Sequence, residues 1–177
     1  DETTSAQAIR AAHFAKADLV SQTVVEFTSQ QGAMGGYFAQ AAGEPEEVSR
    51  GIAEHYRPRF AGDELPSGTV GKVVALADKL DTICGLFAVD EPPTGSSDPF
   101  AVRRSAIGAI AILQALPAFS LSSLVSCALE ALSSQDISFD LDKVRNEVLA
   151  FFVGRLAAIA RDDPHGKPQQ KGSQEYH

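Results

Sequence analysis

Leu76-Ala-Asp-Lys-Leu-Asp-Thr82, then Pro92-Pro-Thr-Gly95, then Asp98-Pro-Phe-Ala-Val-Arg-Arg104 is the stretch that decides the fold of this chain. It closes one helical pattern and opens another through a loop rich in turn residues. Asp98 suits an N-cap, because its carboxylate can accept the free backbone N–H groups of a first turn. Pro99 suits the first helical position, where a missing N–H costs nothing. The expected helix therefore covers 99–115 and stops before Pro117. Arg103 and Arg104 then sit near its N-terminus, where the helix dipole opposes positive charge by about 0.3–1 kcal/mol each. Either Asp98 or another carboxylate pairs with them, or at least one faces a phosphate.

Helical periodicity extends in both directions. Residues 4–28 read as one long helix with Ile9, His13, Ala17, Val20, Val24 and Phe27 on a stripe. Gly32, Gly35 and Gly36 break that pattern as a turn where helices approach closely, and residues 37–42 form a short helix ending at Gly43. Residues 45–56 follow, with Glu46 and Glu47 matching the dipole and Val48, Ile52 and His55/Tyr56 turned inward. A loop with two prolines and two glycines covers 57–68. Residues 69–87 are apolar around much of their circumference, which predicts the centre of the domain. Helices over 120–133 and about 140–161 complete the set, the second capped by Asp140. These seven segments with short connections predict an all-α compact bundle over 1–161. Residues 162–177 are polar and rich in Pro, Gly, Gln and Lys, and read as a disordered tail or linker.

Composition bounds the function. At 177 residues one domain can bury a substantial core. No apolar run approaches the roughly 20 residues of a membrane span, and no secretory signal pattern opens the chain. The chain begins Asp-Glu-Thr-Thr without a Met, as an excised domain would. Cys84 and Cys127 lie within apolar helical patterns and read as buried free thiols of a reducing cytosol. A net charge of −8 excludes a general nucleic-acid binder, so any RNA contact must come from a local patch. There is no Gly-x-Ser-x-Gly elbow, P-loop or Gly-x-Gly-x-x-Gly.

The Asp-Pro-Phe-x-x-Arg-Arg segment after Pro-Thr-Gly, preceded by Ala-Asp-Lys-Leu-Asp-Thr, resembles the β subunit of bacterial-type heterotetrameric glycyl-tRNA synthetase. Ala15-Lys-Ala-Asp-Leu19 leading to Glu26-Phe-Thr-Ser-Gln-Gln-Gly-Ala-Met-Gly35 agrees with it, as does Glu54-His-Tyr-Arg-Pro-Arg-Phe-Ala-Gly-Asp-Glu-Leu-Pro66. The resemblance runs from about Ile9 to Ala160 and covers an internal piece of a much larger subunit. It implies a cytoplasmic place, a separate α subunit holding ATP and Mg for glycine activation, and a β subunit serving tRNA(Gly) recognition. No cofactor is expected in this domain. Its partners would be the α subunit, the remaining β-subunit domains and tRNA(Gly), without a membrane.

The resemblance also implies the HD-domain fold, the helical scaffold of metal-dependent phosphohydrolases. Such enzymes hold a divalent metal with a His, a His-Asp pair and a later Asp, and a bound water becomes the nucleophile. None of the histidines here is followed by Asp. Asp18 falls where the pair would end, with Ala17 in place of its His, while Asp78 matches the later Asp and His55 an accessory ligand. The expectation is a degenerate site with no metal and no catalytic residue.

Arg57, Arg59, Lys72, Lys79, Arg103 and Arg104 remain as RNA-contact candidates around the loops flanking the central helix. Phosphate contacts of this kind position an RNA without reading its bases. Tyr56 and Phe60 are either core anchors or bases' stacking partners. A purely structural domain without RNA contact is the competing reading, and a surviving HD phosphohydrolase stands behind both.

Overall fold

The computed structural model describes residues 1–162, so the expected tail lies outside the described residues apart from Asp162. They are all-α, as the periodicity predicts. The elements are α1 (Glu2–Phe14), a 3₁₀ turn (Ala17–Val20), α2 (Gln22–Glu26), a second 3₁₀ turn (Thr28–Gln30), α3 (Ala33–Ala41), α4 (Glu46–Glu54), α5 (Thr69–Ala88), α6 (Val102–Gln114), α7 (Leu121–Ser133) and α8 (Leu141–Asp162).

Helix α5 is the axis, packing against α1, α4, α6, α7 and α8. One core gathers Leu80, Ile83, Cys84 and Phe87 of α5 with Ala106, Ala109 and Ile112 of α6, Val125 and Leu129 of α7, and Val148 and Phe152 of α8. A smaller core joins Val70 and Val74 to Ala8, Ala11 and Ala15 at the α1 end, Ala39 of α3, and Val48 and Ile52 of α4. Small residues dominate this second core, so its backbones approach closely. A Cβ on Gly36 would stand 2.7 Å from the Ala53 Cβ and 3.0 Å from the Ser49 carbonyl oxygen.

The long helix expected over 4–28 is broken into α1, a 3₁₀ turn and α2. Of the expected stripe Val24 is buried, but Ile9, Val20 and Phe27 are exposed, and Ala8, Ala11 and Ala15 are buried in their place. The break places Asp18 inside the protein, where its Oδ2 accepts from the Gly32 N–H at 2.7 Å and the Gly35 N–H at 3.0 Å. Those N–H groups belong to the first turn of α3, so a carboxylate from a distant segment caps that helix. Gly32, at φ 80°, makes the turn into it. The glycines at 35 and 36 lie within α3 rather than in a turn.

The helix expected from Pro99 begins at Val102. Ala101 precedes it in the left-handed region at φ 55°, which costs a non-glycine residue about 1–2 kcal/mol. The Asp98 carboxylate offsets that strain from outside the helix, Oδ1 accepting from the Val102 N–H at 2.7 Å and Oδ2 from the Arg103 N–H at 3.0 Å. Asp98 thus caps as expected, but across a turn. Asp140 accepts from the Lys143 N–H at 3.0 Å, the cap expected for α8. Cys84 is buried, and burial, with the Asp81 charge, pushes its thiol up to about 12. Cys127 is exposed, contrary to the expected burial, because it borders an open cleft between α5 and α7.

Candidate nucleic-acid interface

His55 ends α4 fully buried, and its Nδ1 lies 2.6 Å from the Ile52 carbonyl oxygen. A carbonyl only accepts, so Nδ1 carries the proton and Nε2 is left as an acceptor without a partner. Burial lowers the His55 pKa, the Ile52 hydrogen bond and the charges of Asp78 and Asp18 working against that, and Lys16 with it. The imidazole is therefore neutral at pH 7.

Asp78, on the same side of α5, is bound by Lys16 at 2.7 Å. The Lys16 ammonium also stands 4.6 Å from the centroid of the Tyr56 ring, whose other close neighbour is the His55 ring at 3.9 Å between centroids. Burial opposes the Lys16 charge, yet the Asp78 hydrogen bond and charge, helped by Tyr56, raise its pKa.

This donor set does not fit a divalent metal. The Asp18 Oδ2 is taken by two backbone N–H groups and Asp78 by an ammonium, which leaves the Asp18 Oδ1 and the His55 Nε2 as two donors without hydrogen-bond partners and no third. A metal ion at Asp78 would also meet the like charge of Lys16. Among the described residues, no three His, Cys, Asp or Glu side chains come close enough to share a metal. Lys16 is the residue the sequence reading passes over. Its only signal is its place two residues before Asp18.

Beside this cluster opens a cleft of about 470 Å³, lined from four segments by Ser29 and Gln31, by Tyr56, Pro58 and Arg59, by Asp78, Lys79 and Thr82, and by Ala101, Arg104 and Ser105. It brings together three of the six candidate cations. Arg59 binds Asp63 at 3.0 Å, which holds that carboxyl down at about 2. Lys79 is buried, its ammonium 3.2 Å from the Tyr56 carbonyl oxygen, and burial lowers its pKa. Arg104 is exposed at the cleft and has no carboxylate within ion-pair distance among the described residues. The Lys79 side chain packs over Gly108, where a Cβ would come 2.7 Å from Lys79 Cε.

The other three cations lie apart. Arg57 pairs with Glu54 at 3.3 Å and Glu64 at 3.7 Å. Lys72 is half-buried near the start of α5. Arg103 turns back over the preceding loop and donates to the Thr94 and Gly95 carbonyls at 2.7 and 3.3 Å. The pairing foreseen between Asp98 and an arginine side chain is not made, since that carboxylate is occupied by backbone N–H groups. Tyr56 is half-buried with His55 and Lys16 against its ring, whereas Phe60 is exposed.

The sequence model of the glycyl-tRNA synthetase beta subunit matches residues 1–169. The chain belongs to that family. It is 48% identical over 163 residues to the glycine–tRNA ligase beta subunit of Methylobacillus flagellatus, covering 92% of this chain and 23% of that protein. The corresponding subunit of Trichlorobacter lovleyi is 49% identical over 154 residues, 86% of this chain and 22% of its own. That of Neisseria meningitidis is 41% identical over 159 residues, 90% and 23% respectively. The chain thus spans under a quarter of the length of these glycyl-tRNA synthetase beta subunits.

Proposed function

We propose that this chain is a non-catalytic helical domain of a glycyl-tRNA synthetase β subunit that contacts tRNA(Gly) through the cleft beside α5 and α6. Family membership supports the choice of tRNA as the partner. The observation that carries the site is Arg104, the exposed cleft cation without an acidic partner among the described residues. A guanidinium so placed is free to meet a phosphate. Glycine activation with ATP and Mg would belong to the α subunit, and the assembled enzyme would work in the cytoplasm. The scaffold is of the HD type in this reading, with Lys16 supplying the positive charge that an HD enzyme draws from its metal. Asp18, His55 and Asp78 act there as capping and packing groups.

A second role is architectural. A largely apolar cleft of about 310 Å³ between α5 and α7, lined by Leu76, Leu80, Phe119, Leu124 and Cys127, supports packing against a neighbouring domain. The two roles separate in the complete αβ enzyme. Charge reversal at Arg104 is expected to weaken tRNA(Gly) binding with glycine adenylation and subunit association intact. Unchanged tRNA binding would leave the architectural role alone.

A further inference from the structure

One cation of the cleft lies deeper than contact with an RNA backbone requires. Lys79 is 6% exposed, yet it lines the cleft together with Tyr56 and Pro58. Its ammonium has three hydrogens. Among the described residues it meets one hydrogen-bond acceptor, the Tyr56 carbonyl oxygen at 3.2 Å. Its stem packs over Gly108 of α6. Arg104 lies one turn before Gly108 on that helix, about 6 Å along the axis, and lines the same cleft.

The remaining charges of the cleft cancel in pairs. Arg59 is matched by Asp63, and Asp78 by Lys16. The surplus is the Lys79 ammonium and the Arg104 guanidinium. A phosphodiester inside an RNA strand brings one negative charge and two free oxygens, with a sugar on either side that holds it at the mouth of a cleft. A terminal phosphomonoester brings a charge of about −1.5 to −2 at neutral pH and three free oxygens. It enters end-on, so it is the form that reaches a buried ammonium. The Ser105 hydroxyl, next to Arg104 at the cleft, supplies a third donor. The Thr82 hydroxyl is already engaged with the Asp78 carbonyl oxygen at 3.0 Å.

We propose that the cleft is a pocket for a terminal phosphomonoester, held by Lys79, Arg104 and Ser105, and that the 5′-phosphate of the tRNA fills it. This rests on the tRNA-contact reading above and names the part of the RNA that the site accepts. A buried ammonium attracts an anion more strongly than a surface lysine does, because little water stands between the charges. Lys79 and Arg104 therefore act on one group together, unlike scattered surface cations that each meet a separate phosphate along a strand.

The test compares tRNA(Gly) carrying a 5′-phosphate with the same RNA carrying a 5′-hydroxyl. Each is bound to the complete αβ enzyme as the parent, as Lys79→Met and as Arg104→Ala. Lys79→Met keeps the stem and removes the charge, and melting curves check its fold; Arg104 is exposed, so its variant keeps the fold in any case. The parent is expected to bind the 5′-hydroxyl RNA about tenfold more weakly, the scale of one lost hydrogen bond to a charged group. In both variants that difference should largely disappear. Equal affinity of the parent for the two RNAs, with Arg104→Ala weaker on each, would overturn the terminal assignment and leave an internal phosphate contact standing. Adenosine monophosphate separates a free phosphomonoester from the RNA end. Its binding to the parent and not to Lys79→Met, with no effect of the tRNA 5′ group, would overturn the assignment to tRNA. Parent affinity for both RNAs in both folded variants would overturn this proposal and the tRNA contact together.

Discussion

Lys16 and Asp78 meet at 2.7 Å, so an ammonium already occupies the carboxylate that a divalent metal would need. The pair carries its own cation, so added Mn²⁺, Mg²⁺ or Ni²⁺ should neither raise the melting temperature nor support phosphoester hydrolysis. Lys16→Ala leaves Asp78 without its partner. Because the lysine side chain is half exposed, the expected cost is only about 1 kcal/mol. Calorimetry with and without metal checks both statements, and a metal-dependent rise in the parent would contradict them.

Asp98 and Arg103 brace the entry to α6 in different ways. Asp98→Ala removes the acceptor of two backbone N–H groups beside the left-handed Ala101, and should cost about 0.5–2 kcal/mol. Arg103→Ala frees the Thr94 and Gly95 carbonyls at an exposed site, and should cost less. Urea denaturation of both variants gives the order directly.

Gly36→Ala tests the close approach of α3 and α4. The new methyl would meet backbone as well as side-chain atoms of α4, so little can move aside. The expected loss is about 1–3 kcal/mol, against a gain of about 0.5–1 kcal/mol for Gly85→Ala within α5, where a Cβ meets nothing within 4 Å. Equal melting of the two variants would contradict the packing described.

His55 sets a pH dependence whose sign follows from burial. Its folded pKa is lowered, so the unfolded state binds the proton more readily. The stabilising contribution is complete above the ordinary histidine value, about 6.5, and is lost as pH falls from there toward the folded value. Urea midpoints should therefore fall between pH 7.5 and 5.5 in the parent, and fall less in His55→Gln. A flat profile in the parent would show that the buried imidazole accepts a proton at no cost.

Much of this architecture is legible in the sequence because it is local. The apolar circumference of 69–87 announces the central helix, and Val48, Ile52 and His55 turn inward as their spacing implies. What escapes is long-range. Nothing in Ala15-Lys-Ala-Asp-Leu19 breaks a helix by propensity; the break is made by N–H groups at Gly32 and Gly35 reaching Asp18. The α1 face is misread for a related reason. Ala11 is buried where Gly51 of α4 lets the backbones approach, a Cβ at 51 standing 3.4 Å from the Ala11 Cβ, while the larger Ile9 stays in water. The cations behave likewise. Sequence proximity groups six, but Arg57 and Arg59 are ion-paired, Lys79 is buried, Arg103 is tied to backbone carbonyls and Lys72 lies outside the cleft, which leaves Arg104.

That distinction is the centre of the account, and one titration tests it. Binding of tRNA(Gly) to the complete αβ enzyme is measured against salt concentration for the parent, Arg103→Ala and Arg104→Ala. Loss of one phosphate contact at Arg104 should weaken binding severalfold at low salt and reduce the slope of log affinity against log salt by about one, with glycine adenylation unchanged. Arg103→Ala should keep the parent slope. Parent affinity and slope in a folded Arg104→Ala enzyme would contradict the assignment.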